Sequence, residues 1–142
     1  MGLGAFAIIL DDERRVLVCH RRDIDGWNLP GGRVEEGEAP WDAAIRETRE
    51  EVGLEVEVTR LTGLYWKPDA ADLVFAFECH VLSGTPGLSD EADQVGYFAL
   101  DALPVNTGQK HVERIRDALA GGPAVMRVQT GPGMRDLFAS RP

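Results

Sequence analysis

The stretch that decides the fold runs Gly31-Gly32-Arg33-Val34-Glu35-Glu36-Gly37-Glu38-Ala39-Pro40-Trp41-Asp42-Ala43-Ala44-Ile45-Arg46-Glu47-Thr48-Arg49-Glu50-Glu51-Val52-Gly53-Leu54. It reads as a glycine-rich turn feeding an acidic amphipathic helix from about Pro40 to Val52. Pro40 suits the first helical position, where its missing N–H costs nothing. Glu35, Glu36 and Glu38 crowd the N-terminal end, where the helix dipole favours negative charge. Gly53 supplies the left-handed residue that commonly ends a helix. Trp41, Ala44, Ile45, Thr48 and Val52 recur at helical spacing, a stripe that predicts a core-facing side.

A second face carries the chemistry. Glu47, Glu50 and Glu51 stand at i, i+3 and i+4, so adjacent turns present three carboxylates together. Such groups repel one another unless a cation lies among them, and hard oxygen ligands suit Mg²⁺ or Mn²⁺ rather than a soft metal. The alternative is a solvated helix laced with pairs such as Arg46 with Glu50.

The whole pattern resembles the Nudix box, G-x5-E-x7-R-E-U-x-E-E-x-G-U, where U is a bulky apolar residue. Gly32, Glu38, Arg46, Glu47, Glu50, Glu51 and Gly53 are all in register, and Leu54 fills the last U position. The other U position holds Thr48, which lies on the apolar stripe. The resemblance implies a Nudix fold of the α/β (α+β) class, a mixed β-sheet sandwiched between helices. It also implies hydrolysis of a nucleoside diphosphate linked to a further moiety, with metal-activated water attacking phosphorus. Glu47, Glu50 and Glu51 are then the metal ligands, joined by the backbone carbonyl of Gly31, and Glu38 with Arg46 form a structural ion pair. The general base is either Glu50 within the box or Glu91 in the acidic loop around 90–93; Glu91 serving only to solvate its loop stays open. Gln94 stands where several relatives carry a glutamate.

Further candidates lie outside the box. Arg21 and Arg22 precede the glycine turn and could grip phosphate, since a guanidinium pairs bidentately with such oxygens; solvated arginines at a strand end are the plain alternative. Tyr65 and Trp66 could stack on a base or pack in the core. His20, His80 and His111 show no ligand spacing. Pro68 lies fifteen residues past Gly53, close to where ADP-ribose pyrophosphatases of the family carry a proline, although a turn favours proline anyway. The short chain points instead toward nucleoside triphosphates. A nucleotide-sensing module of the same fold that does not cleave is the alternative function. Such modules usually lose box glutamates, and all are present here.

Composition narrows the remaining classes. At 142 residues and 15.5 kDa, one domain is expected over 1–142, with a turn-rich tail at 121–142. A net charge of −9 argues against a nucleic-acid polymer or an anionic membrane as partner. The expected partner is a small nucleotide, with the chain as monomer or homodimer. The apolar run Leu3–Leu10 is too short to span a bilayer and lacks a basic leader, so cytoplasm is the default. Cys19 and Cys79 read as buried free thiols.

Along the chain, residues 3–10 and 15–21 read as a β-hairpin across Asp11–Arg14, and Trp27–Pro30 as a short strand. Leu54, Val56 and Val58 alternate with polar residues, a strand that Leu61–Trp66 continues or follows. Lys67–Asp72 is a turn, residues 73–81 the clearest strand, and Gln94–Leu100 another. Asn106 is expected to cap a second helix, with Gln109 in the capping box and Val112, Ile115 and Leu119 on its apolar side. Ala124–Val128 is a candidate edge strand.

Overall fold

A computed structural model describes residues 1–138. The last four residues of the tail, 139–142, lie outside the described residues. The element order is β1 (Gly2–Ile9), β2 (Val16–Arg21), β3 (Trp27–Asn28), β4 (Gly31–Arg33), α1 (Pro40–Val52), β5 (Glu55–Lys67), β6 (Asp72–Ser83) and β7 (Ala92–Phe98). A short 3-10 turn at Leu100–Ala102 follows, then α2 (Gln109–Ala120), β8 (Val125–Val128) and the single-turn α3 (Met134–Leu137). The strands form a five-stranded sheet, β4-β1-β6-β5-β8, and a three-stranded sheet, β3-β2-β7. Pairing is mixed: β1 runs parallel to β6 and antiparallel to β4, and β5 runs antiparallel to β6 and parallel to β8. The α+β class and mixed sheet expected from the sequence are therefore present.

The two faces of β1 explain the layers. Ala5, Ala7 and Ile9 point toward α1 and share a core with Leu17, Cys19, Ala43, Ala44, Val52, Phe77 and Cys79. Ile8 points the other way and joins Val16, Val18, Leu29, Ile115 and Ala118 beneath α2. Period-2 alternation that is apolar on both faces makes β1 and β2 interior strands. Each buried Ile or Leu contributes roughly 1.5–3 kcal/mol.

This two-sided burial corrects the hairpin. The turn at 11–15 does form: the Asp11 carboxylate accepts the N–H groups of Glu13 and Arg15, both at 2.9 Å. Past the single bridge Leu10–Val16, however, β1 and β2 diverge into different sheets. Their partners are strands distant in sequence, which local alternation does not encode.

α1 spans Pro40–Val52 as expected, with Pro at its start and Gly53 at φ 74°, donating its N–H to the Arg49 carbonyl. Ala44, Thr48 and Val52 are buried and Ile45 is half-buried, but Trp41 is 54% exposed. The stripe thus loses its first member, while Ala43 in the same turn is fully buried. α2 starts from Gly108 rather than from an Asn106 cap. The Asn106 amide donates to the Asp25 carbonyl and carboxylate instead. Its buried residues are His111, Arg114, Ile115 and Ala118, with Val112 and Leu119 only half-buried, so the face is turned from the expected one. β8 confirms an edge strand at the expected place. Cys19 and Cys79 are free and buried. Among the described residues no helix is long and apolar enough to cross a membrane.

Candidate active site

The C-terminal half of α1, the glycine turn and the loop before β7 converge on one cleft of about 500 Å³. Glu47 and Glu51 reach it from successive turns of α1, and Glu91 enters from the facing loop. Carboxylate oxygens of these three residues all lie within 4.8 Å of one another. Three like charges at that separation are unfavourable without a cation, and oxygen-only ligands are what a hard divalent ion takes. The donor set fits such an ion.

Electrostatics at the cluster follow from burial. Glu51 is 8% exposed, and desolvation pushes its carboxyl up to about 9, with the hydrogen bond and charge of Glu47 adding to the shift. Burial also raises Glu47, against the pull of Arg46. The Gly31 N–H donates to Glu51 at 3.3 Å and partly offsets its desolvation. Two glycines leave room here. A Cβ on Gly31 would land on the Ala5 carbonyl and the Phe6 ring, and one on Gly32 would sit 2.8 Å from the Glu47 carboxylate.

Arg46 ties this framework together. Its guanidinium donates to Glu38 at 2.8 and 3.1 Å, to the Arg33 carbonyl at 3.1 Å, to Glu47 at 3.1 Å and to Glu50 at 3.2 Å. Glu38 also accepts the Glu35 N–H, and the hydrogen bond from Arg46 holds its carboxyl below the ordinary range. The expected Glu38–Arg46 pair is thus formed, spanning the loop and the helix. Glu50 is not drawn into the cluster with Glu47 and Glu51: its side chain is 52% exposed and rests on Arg46 at the rim. Because α1 turns 100° per residue, Glu51 faces the glycine turn while its neighbour faces outward.

The arginines divide. Arg21 lines the cleft but is held by Asp23, at 2.9 and 2.6 Å. Arg22 fixes the Glu91 loop, its N–H donating to the Glu91 carbonyl and its side chain to the Ser89 carbonyl. Tyr65 is buried, with its hydroxyl donating to Asp117, a core role. Trp66 is half-buried on the opposite side of β5 and lines neither this cleft nor the larger one described below. Cys19 lies 4.0 Å from Glu51, and burial holds its thiol protonated, which makes it inert as a nucleophile.

Sequence reasoning left His20 without a role. The buried imidazole joins Asp93 at 2.7 Å to Asp25 at 2.9 Å, latching the Glu91 loop to the 22–26 loop. It also missed Arg114, whose signal was its phase: 111, 114, 115 and 118 form one helical face, and a charge on that face is buried. Arg114 lines a second cleft of about 700 Å³ that shares Phe6, Arg21 and Asn28 with the first.

A sheet-and-helix sandwich that presents clustered carboxylates beside a glycine turn defines a phosphate-handling, divalent-metal class of protein. Within that class the chain belongs to the Nudix family, since the NUDIX domain matches residues 2–119. It is 33% identical over 125 residues to a MutT-like protein of Streptomyces ambofaciens, covering 87% of this chain and 81% of that one. It is also 33% identical over 105 residues to an ADP-ribose pyrophosphatase of Methanocaldococcus jannaschii, covering 68% of this chain and 61% of that one. The crystal structure of a MutT NUDIX hydrolase from Burkholderia pseudomallei superposes with a TM-score of 0.71 at 29% identity, covering 82% and 96% of the two chains. Dependence on a divalent metal is general for the family.

Proposed function

We propose that this chain is a pyrophosphohydrolase that cleaves a nucleoside diphosphate linked to another moiety, a nucleoside triphosphate or an ADP-ribose-like nucleotide. The observation that carries the reading is the trio Glu47, Glu51 and Glu91, assembled from two separate elements with oxygens within 4.8 Å. Glu47 and Glu51 would hold Mg²⁺ or Mn²⁺ together with Glu91, with Glu50 of the box at the rim as a further candidate ligand. When bound, the cation neutralises phosphate oxygens and acidifies water for attack at phosphorus.

The chain's own groups do the rest. Arg46 orients Glu47 while anchoring the loop through Glu38, so the carboxylate is positioned before substrate arrives. Arg22 and His20 hold the Glu91 loop to the end of β2 and the loop that follows it. Arg21, at the junction of the two clefts, offers a guanidinium to the phosphate chain if its grip on Asp23 loosens. Glu50 or Glu91 takes the proton from the attacking water. The full set of box glutamates speaks against the non-cleaving sensor.

The test is a panel of nucleoside triphosphates, ADP-ribose and nucleotide sugars, assayed with Mg²⁺ or Mn²⁺ and read by released phosphate or pyrophosphate. Turnover abolished by EDTA and restored by excess Mg²⁺ is expected. Full turnover in EDTA would refute the metal assignment.

A further inference from the structure

The larger cleft has the opposite charge character to the metal cluster. It is bounded by β1, the end of β5, α2 and residues 128–137. Its inner wall carries Lys67, Lys110 and Arg114, none within ion-pair distance of a carboxylate among the described residues. Lys110 donates to the Gly131 carbonyl, and Arg114 donates to the amide oxygen of Gln129 at 2.9 and 3.2 Å. Both are neutral acceptors. Arg116 and Arg135 stand further out.

Arg114 is the unusual member. It is 2% exposed, and its guanidinium carbon lies 5.0 Å from the Phe6 ring centre and 5.5 Å from that of Tyr65. Among the described residues, its Nη1 is buried with no hydrogen-bond partner. A buried cation with an unmet donor is costly unless something answers it.

The neighbouring groups register the same net positive field, which Asp72 opposes at Lys67. Burial lowers Lys67 below the ordinary lysine range, and the charges of Arg114 and Lys110 lower it further. His111 is driven well down by burial and then by Arg114 and Lys67, which keeps it neutral. In a chain of net charge −9, a cleft lined by Arg21, Lys67, Lys110, Arg114, Arg116 and Arg135 against only two acidic residues, Glu113 and Asp136, is not expected from composition.

We propose that this cleft is an anion site, and that the moiety linked to the cleaved pyrophosphate carries its own phosphate or carboxylate, received by Lys67, Lys110 and Arg114. The inference deepens the hydrolase reading and rests on it for the word substrate; the anion site itself does not. The shared residues Phe6, Arg21 and Asn28 make the two clefts continuous, so one extended ligand can occupy both. Donors dominate the inner wall, so the ligand group is an acceptor.

Two measurements test it. Calorimetric titration of inorganic pyrophosphate in EDTA reads the basic cleft alone, because the metal-free carboxylates of the other cleft repel the probe. Wild type should bind, and Lys67→Met and Lys110→Met should each weaken binding about tenfold; Glu51→Gln should not weaken it. No binding by wild type, or binding indifferent to both lysine variants, overturns the proposal. Kinetics then compare matched pairs in Mg²⁺: ADP-ribose against its terminal-ribose 1″-phosphate, and UDP-glucose against UDP-glucuronate. A preference of about tenfold or more in kcat/KM for one acidic member is expected, with the ratio collapsing in Lys67→Met; the pair that responds tells phosphate from carboxylate. Equal use of both members in both pairs overturns the substrate assignment. Pyrophosphate binding without any turnover would refute the hydrolase reading while upholding the anion site.

Discussion

Replacing Glu51 by Gln in the metal-free protein tests the electrostatics of the carboxylate cluster directly. The Glu51 carboxyl is buried beside Glu47, and its pKa is raised from the ordinary 4.5 to about 9. The folded state therefore binds a proton that the unfolded chain releases above about pH 5, and the sign follows. This contribution is fully present below the unfolded pKa and is lost as pH rises through the folded one. One proton of difference gives a slope approaching about 1.4 kcal/mol per pH unit. For a domain of this length that is about 4 °C in Tm per unit. The useful window is about pH 7–8.5: His111, whose pKa is lowered, acts below it with opposite sign, and the raised thiols act above it. Scanning calorimetry in EDTA should show wild-type Tm falling across the window and Glu51→Gln nearly flat. Excess Mg²⁺ should weaken or reverse the wild-type slope, since the cation competes with the proton. A wild-type slope of zero, or one that survives unchanged in Glu51→Gln, would refute the account of a buried, mutually repelling pair.

Kinetic and packing predictions follow from the same geometry. Glu47→Gln, Glu50→Gln and Glu51→Gln should each lower kcat at saturating Mg²⁺ by on the order of 10², with circular dichroism unchanged. Near-normal turnover of Glu50→Gln alone would confine that residue to the Arg46 network. Alkylation with iodoacetamide should leave activity intact, because both thiols are buried and burial pushes Cys79 up to about 12; loss of turnover in a folded, labelled protein would contradict a water nucleophile. Trp41→Ala should shift stability by no more than about 0.5 kcal/mol. Ile115→Ala, on the fully buried face of α2, should cost about 2–5 kcal/mol by denaturant titration.

What the linear sequence determined was local and spacing-bound. Pro40, Gly53 and the helical period set the limits of α1 to the residue, and the register of Gly32, Glu38, Arg46, Glu47, Glu50, Glu51 and Gly53 marked the family. Those signals are readable because a helix places its side chains by count alone. The edge strand Val125–Val128 was legible for a similar reason, as a short β-prone run between turns. Only the tertiary structure decided the pairing of β1 with β6 rather than β2, because two apolar faces say that a strand is interior without saying who its neighbours are. It decided too that Glu91 joins Glu47 and Glu51 while Glu50 rests on Arg46, since a loop's approach to a helix depends on contacts such as His20 with Asp93. The basic cleft was invisible for the same reason: Lys67 ends β5 while Lys110 and Arg114 lie on α2, and their charges meet only when β5 and α2 pack around Phe6 and Tyr65.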